Sequence, residues 1–352
     1  MTRNVLVVGT GTIGGLMERT ILAEKEGLRI EDNFFIKRNP YMHDRERSIQ
    51  FSNKGAILAV PEEKFKEFKG MGMNPQLTDV EARKIADVII DCTPAGNVNK
   101  REIYLGLDQN KGFIAQGSEH GFGVPYVNGI NGETLKGRYI QIGSCNVHSI
   151  SALIDVLGMQ NGSNPSNIIE ANFQCIRRAN DVSQNNNFLA SPQVGKANNQ
   201  KFGTHHARDV YELFKTKGLK LDLFSRAMKI NTQYMHTIGF DMYVQNANKD
   251  DLVDLVKSSK KTAVTYKDAT CLTYFFGNEF GINGKILNHS VIPIETLHVR
   301  DSRRGIHISG YCFTPQDGNS IVSSVKAAMW LLDPTTYQKD TECLDQYLFD
   351  EV

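Results

Sequence analysis

Residues 4–15 read NVLVVGTGTIGG, an uninterrupted aliphatic run that opens into a glycine-rich turn. Val5 to Val8 carry no polar residue among them, as in a strand covered on both faces. Gly9-Thr10-Gly11-Thr12-Ile13-Gly14 fits GxGxxG directly after that run, and the pattern beyond it predicts a helix through Ala23. In such a setting Gly9, Gly11 and Gly14 permit a tight turn and a close backbone approach to a pyrophosphate seated on the helix N-terminus. A structural turn in an unrelated α/β protein is the competing reading.

Outward from that turn, strand-like runs recur at 33–37, 56–60, 88–92 and 112–116, separated by helical stretches. This βαβ rhythm predicts a doubly wound parallel sheet, a Rossmann domain, over residues 1–144. From about Glu170 the runs lengthen and alternate, at 168–176, 227–230 and 306–313. They predict an α+β catalytic domain over 145–319 with a mainly antiparallel sheet, and the stretch 320–352 is expected to pack back on the first domain. Between Asp181 and Phe202 lies the polar stretch SQNNNFLASPQVGKANNQ, with little periodicity. Loops of that length are usually functional or disordered.

Composition narrows the class. The chain has 352 residues, enough for two ordinary domains, with 40% hydrophobic and 22% charged residues as in a soluble globular protein. A net charge of +1 argues against a nucleic-acid or membrane-surface partner. The apolar runs are too short to span a bilayer, and Met1-Thr2-Arg3 leads into a strand without a signal-peptide pattern. Cysteines at 92, 145, 175, 271, 312 and 343 show no CxxC pairing, so neither a metal site nor a disulfide framework is expected. A reducing cytoplasm is the natural setting.

The second strand ends Phe35-Ile36-Lys37-Arg38-Asn39-Pro40, with two cations where an NAD-selective fold places a carboxylate. Lys37 and Arg38 suit a ribose 2′-phosphate and so favour NADP over NAD; a solvated turn before a proline is the alternative. Residues 141–150, QIGSCNVHSI, set Cys145 between a strand end and a helix, where backbone N–H groups favour a thiolate. A small buried hydrophobe is the plainer reading of that thiol. Arg177 and Arg178 end a strand, His205 and His206 precede a helix, and His236 stands at a strand boundary. Asp91-Cys92-Thr93-Pro94-Ala95-Gly96 ends the fourth strand at the carboxyl edge, where doubly wound sheets bind ligands.

Taken in order, GTGTIGG, DCTPAG, AQGSEHG, IGSCN, IRRANDV, THHARDV and the histidine of TQYMH resemble the archaeal-type (type II) phosphorylating glyceraldehyde-3-phosphate dehydrogenases over roughly residues 4 to 240. The resemblance implies oxidation of a phosphorylated aldehyde to an acyl phosphate through a cysteine thioester, with inorganic phosphate and NADP or NAD, in glycolysis or gluconeogenesis. It makes Cys145 the nucleophile and His236 its base. Thr12 and Ile13 follow the pyrophosphate turn, Thr93, Gly117, Arg177 and Gln316 join the cofactor ligands, and Ser144, Asn146, His205 and His206 line the substrate site. The polar loop after Arg178 falls where such enzymes carry a loop into a tetramer core, which implies a homotetramer.

Departures accompany the likeness. Val147 and His148 replace two threonines of the family pattern, so the hydroxyl that could bond a phosphate oxygen or oxyanion is absent at Val147, and His148 or Ser149 is expected to take over that hydrogen bond. Asn231-Thr232-Gln233 replaces PTT, Asn319 competes with Gln316 for the nicotinamide amide, and 266–300 is longer than the pattern. Two rival readings follow. One is a related cysteine-dependent semialdehyde dehydrogenase acting on a carboxylate substrate, and the other is a non-catalytic NAD(P)-binding module.

Overall fold

The computed structural model describes residues 3–117, 119–180, 188–232, 234–279 and 281–352, which form two compact units. Unit 1 comprises Met1–Val124, Lys136–Ile142 and Ile321–Leu344; unit 2 comprises Pro125–Leu135, Gly143–Ser320 and Asp345–Val352.

The strands of the first sheet are β1 (Val5–Val8), β2 (Asn33–Ile36), β3 (Ile57–Val60), β4 (Leu77–Thr78), β5 (Val88–Asp91), β6 (Gly112–Ala115), β7 (Val124–Tyr126) and β8 (Tyr139–Ile142). Helices α1 (Thr12–Ala23), α2 (Met42–Asn53), α3 (Phe65–Gly70), α4 (Asp79–Ile85) and α5 (Gly96–Glu102) alternate with them. The spatial order is β4-β3-β2-β1-β5-β6-β8-β7, and the pairings from β4 through β8 are parallel. Every residue of β1, β2 and β5 is buried, which explains why their sequences do not alternate. The chain reverses its direction of travel across the sheet between β1 and β5. A topological switch point forms there, with a crevice at the strands' carboxyl ends.

Unit 2 holds helix α6 (Cys145–Leu153), strands β9 (Ile168–Arg177) and β10 (Gln193–Val194), helix α7 (His205–Lys215), strands β11 (Leu223–Lys229) and β12 (His236–Val244) and helix α8 (Lys249–Ser258). Strand β13 (Thr262–Thr265), helix α9 (Thr270–Glu279) and strands β14 (Ser290–Pro293), β15 (His298–Ser302) and β16 (Gly305–Thr314) complete it. The sheet order is β10-β11-β9-β12-β16-β14-β13, with β15 paired to β16. The central pairings β9–β12 and β12–β16 are antiparallel, so the mainly antiparallel expectation holds. Two pairings, β11–β9 and β13–β14, are parallel. For β11 the reason is α7, a helical crossover that returns the chain in its original direction. β12 alternates buried and partly exposed residues, and its inward Ile238, Phe240 and Met242 pack in one core with Leu153, Phe173, Val210 and Phe214.

The chain then returns to unit 1. Helix α10 (Ile321–Leu332) packs on β5, β6 and α1, and Leu331 lies against Gly112 so closely that a Cβ there would meet it at 2.8 Å. Of the polar loop, residues 181–187 lie outside the described residues, as does Gln233; the remainder contributes β10. Among the described residues no helix is long and apolar enough to cross a membrane, and no group of three or more histidines, cysteines or carboxylates is placed to hold a metal.

Candidate active site

In unit 1 the glycine turn joins β1 to α1 as its spacing predicts. Gly9 has φ +85°, a left-handed conformation, and a Cβ on Gly14 would fall 1.8 Å from the Gly9 carbonyl oxygen, so both positions require glycine. Gly11 caps α1 without a side-chain hydrogen bond, and no carboxylate stands in the first helical turn. The N–H groups at Thr12, Ile13 and Gly14 thus begin a helix whose N-terminus suits an anion. A cavity of about 360 Å³ lies over this turn at the switch point, lined by Gly9 to Gly11, Ile36 to Asn39, Tyr41, Asp44 and Thr93 to Ala95. Gly117, at φ +75°, follows β6. Glycines that let backbone approach, an uncapped helix end and cations at one rim together fit a dinucleotide.

The rim differs from the sequence expectation in one respect. The β2 end lacks a carboxylate, yet the first turn of α2 brings Asp44 into the same cavity. Asp44 Oδ2 accepts a 2.6 Å ion pair from Lys37 Nζ, and Oδ1 lies 3.5 Å from Arg47 Nη2. Arg47 Nη1 in turn donates to the Thr10 carbonyl at 2.6 Å, tying this cluster to the glycine turn. Arg38 belongs to a different network. Its Nη2 donates to Asn99 Oδ1 at 3.2 Å, and Asn99 Nδ2 donates to Asp91 Oδ2 at 2.7 Å. Asp91 also accepts from the Tyr104 and Thr93 hydroxyls at 2.7 and 2.6 Å. Arg38 is therefore held at the cavity by a buried carboxylate it never touches.

In unit 2, Ser144 stands at the N-cap position of α6 without a side-chain capping bond and Cys145 is the helix's first residue, so the thiol sits at a helix N-terminus whose N–H groups are not capped. Eight of the nine residues of α6 are buried, which hid the true start of the helix from a search for amphipathic spacing. His236, the first residue of β12, brings its Nδ1 to 4.0 Å from Cys145 Sγ. The neighbouring Asn146 bridges two imidazoles: its Oδ1 accepts from His236 Nδ1 at 3.0 Å, and its Nδ2 donates to His206 Nε2 at 3.3 Å. A side-chain amide has one accepting and one donating end, so the two histidines are held in opposite roles. In this arrangement His236 carries its proton on Nδ1 and leaves Nε2 as the basic atom.

Charge in this pocket follows from burial. Cys145 is pushed up to about 11, first by desolvation and then by the Asp317 carboxylate, against the pull of Arg178, Arg177 and the Asn146 N–H. His236 is held well below its usual value by burial and then by Arg177 and Arg178. His206 is lowered by burial, His205, Arg177 and His236, in that order. The resting pair at neutral pH is thus thiol and neutral imidazole, rather than thiolate and imidazolium. His205 lies against His206 with ring centroids 4.0 Å apart and the ring planes tilted by 57°.

The cations divide unevenly. Arg178 pairs with Asp317 at 3.2 Å, and Lys285 reaches the other oxygen of that carboxylate at 3.3 Å. Arg208 pairs with Asp209 at 2.7 Å. Arg177 makes no ion pair among the described residues, and its Nε is buried without a hydrogen-bond partner. Its charge acts on His205, His206 and His236 together. Among the expected cofactor residues Arg177 and Gln316 belong to unit 2, the others to unit 1.

Neither suggested stand-in for the missing threonine is available. His148 Nδ1 donates to the Ser144 carbonyl at 3.0 Å, and the Ser149 hydroxyl donates to the His289 carbonyl at 2.7 Å. Burial, foremost, pushes His148 down to about 3, so it is a neutral core imidazole. Val147 is buried and packs on Gly143. Asn319 is likewise engaged, its Nδ2 donating at 3.0 Å to the carbonyls of both Cys145 and His289. Sequence reasoning missed Asp317, whose partners lie 139 and 32 residues away; its only local mark is a left-handed φ of +74°.

No family model matches the chain. Curated relatives do. Glyceraldehyde-3-phosphate dehydrogenase of Metallosphaera sedula is 24% identical over 265 residues, 73% of this chain and 71% of the relative. The enzyme of that name from Pyrobaculum neutrophilum is 26% identical over 235 residues, 65% and 63% of the two chains. Glyceraldehyde-3-phosphate dehydrogenase 1 of Methanosarcina barkeri is 28% identical over 211 residues, 58% and 57%. The aligned region thus spans less than two thirds of the Pyrobaculum and Methanosarcina relatives. The chain, with a parallel Rossmann-type sheet in one unit and a mainly antiparallel sheet in the other, is thus similar to glyceraldehyde-3-phosphate dehydrogenases of archaea.

Proposed function

We propose that the chain is an NAD(P)-dependent, phosphorylating glyceraldehyde-3-phosphate dehydrogenase, with unit 1 binding the dinucleotide and unit 2 carrying the chemistry. The observation that supports it most is the Cys145 thiol at the α6 N-terminus, facing a neutral His236 that Asn146 holds in a single tautomer. A non-catalytic binding module has no use for that pair.

In this reading the thiol adds across the substrate carbonyl, forming a C–S bond, and the first-turn N–H groups of α6 stabilise the developing oxyanion. His236 accepts the proton of the hemithioacetal hydroxyl at Nε2, since its Nδ1–H is given to Asn146, as the carbon is oxidised to a thioester. Nicotinamide, when bound, supplies the two-electron acceptor for that oxidation, held through the Gly9–Gly14 turn, Thr93 and Arg38. A phosphate oxygen then attacks the thioester carbon, the C–S bond breaks, the departing sulfur takes back the proton held on His236, and the proton of the attacking phosphate is released to solvent. Arg177 is the cation best placed to hold an anion beside the histidines, because Arg178 and Arg208 already have carboxylate partners. That assignment moves Arg177 from cofactor to phosphate. Arg38 favours NADP, whereas the charge of Lys37 is taken up by Asp44. Phe188 and Val194, almost fully exposed near the polar loop, suit burial in a homotetramer, and six free thiols suit a reducing cytoplasm.

The test is cofactor reduction with glyceraldehyde 3-phosphate, with and without phosphate or arsenate. Turnover that needs an inorganic anion supports the reading. Preference for a carboxylate-bearing semialdehyde would replace it with the related dehydrogenase class, and the absence of any burst on Cys145 would refute both.

A further inference from the structure

Two cations at the end of β2 look equivalent in sequence, but the structure treats them differently. Lys37 is 7% exposed and its ammonium is paired at 2.6 Å with Asp44, while Arg38 is carried by the Asn99–Asp91 network. Asp44 lines the same cavity as both, its side chain 19% exposed, so one carboxylate oxygen can meet a ligand. Tyr41, half-exposed beside it, offers a flat wall of the kind an adenine stacks on. Resting on the dinucleotide reading above, we infer that Asp44 sets the choice between NAD and NADP: it cancels the charge of Lys37 and presents an acceptor to a ribose diol, leaving Arg38 as the principal ligand of a 2′-phosphate.

The chemistry follows from donor and acceptor inventory. An ionised carboxylate only accepts, so it welcomes two ribose hydroxyls and repels a phosphate dianion. A guanidinium only donates, in a fork that matches phosphate oxygens. With both at one rim, each cofactor finds one favourable partner and neither is excluded. Arg47 takes part indirectly. It bonds the Thr10 carbonyl and faces Asp44, so the charge at the ribose corner is fixed in place relative to the pyrophosphate turn.

Calorimetric titration of NAD and NADP into the intact protein measures the ratio of the two affinities without any turnover. Asp44→Asn should tighten NADP and weaken NAD, raising the preference for NADP about tenfold or more. Arg38→Ala should lower it by about the same factor, and Lys37→Met, which leaves the Asp44 carboxylate unpaired at the rim, should lower it as well. If Asp44→Asn alone proves unstable, the double variant Lys37→Met with Asp44→Asn removes both partners of the ion pair and should still raise the preference, since the repelling carboxylate is gone. An unchanged ratio in the Asp44 variants, or a loss with Lys37→Met that persists in the double variant, overturns the inference while leaving the dinucleotide site intact. Binding of neither nucleotide by the unaltered protein overturns the site itself.

Discussion

Replacing His236 with asparagine should separate two properties that a thiolate–imidazolium pair would lose together. Cys145 stands at about 11, so on the order of 10⁻⁴ of the thiol is ionised at pH 7. The neutral His236 contributes no charge to that balance at neutral pH. Alkylation of Cys145 by iodoacetamide should therefore rise about tenfold per pH unit between roughly pH 7 and 9 in the unaltered protein, with a near-identical profile in the variant. Acylation is another matter. There the base must accept a proton as the carbon is oxidised, and its loss should slow the single-turnover burst by about 10² to 10⁴-fold. The hydrogen bond to Asn146 disappears as well, a loss of about 1 kcal/mol that thermal melting should register. Adduct mapping by mass spectrometry, burst kinetics and melting on one preparation give all three quantities. A plateau of alkylation near neutral pH in the unaltered protein, abolished by His236→Asn, would show a preformed ion pair and refute the assignment of a neutral base. A normal burst in the variant would remove His236 from the chemistry.

Cys145→Ser should abolish the burst while leaving dinucleotide binding unchanged, as calorimetry would show. Asp317→Asn removes a carboxylate that pushes the thiol up, so Cys145 should alkylate several-fold faster at pH 7; because Arg178 and Lys285 lose their partner, the melting temperature should fall at the same time. Arg177→Ala should raise KM for phosphate or for the phosphorylated substrate about tenfold or more, with the Cys145 adduct still formed on treatment with iodoacetamide. Glu18→Gln tests a buried carboxyl in unit 1 that accepts from Asn33 at 2.6 Å and whose pKa burial raises well above normal. A carboxyl raised on folding binds its proton more tightly in the native state, so its cost is absent below the unfolded pKa of about 4.3 and grows as pH rises past it. The amide should therefore raise the melting temperature at pH 7 and lose that advantage near pH 4, and an equal gain at both would refute the sign.

The strand–turn–helix of residues 4–23 was legible because every part of its signal is local: an apolar run, glycines whose backbone demands them, then a helix. The same holds for Cys145 between β8 and α6. What escaped were properties that depend on a partner's position. Lys37 and Arg38 stand side by side, yet only three-dimensional packing reveals that a carboxylate seven residues on neutralises the first and that Asn99 carries the second. Arg178 and Arg208 read as available cations until Asp317 and Asp209 are seen against them. Val147, His148 and Ser149 invite a search for a lost hydroxyl, whereas the helix they build faces the core on all sides. Asn146 was readable as a polar neighbour of the thiol, but its two-ended bond to His236 and His206 joins residues 60 and 90 positions away.

The division of unit 1 into three chain segments bears on how the protein is made. Strands β5 and β6 are covered by α10, which the ribosome does not deliver until residue 332 of 352 has been added. At about 5–20 residues per second, the sheet built from the first 142 residues waits on the order of ten seconds to forty seconds for its covering helix. Throughout that interval the face α10 will occupy, including Gly112 where Leu331 docks, lies open to whatever apolar surface it meets. Unit 1 cannot finish first and serve as a platform for unit 2, because the middle of the chain must be threaded before the beginning can close. A nascent chain halted at residue 320 should accordingly bind chaperone and succumb to protease across residues 88–115, although every residue of the glycine turn is already present.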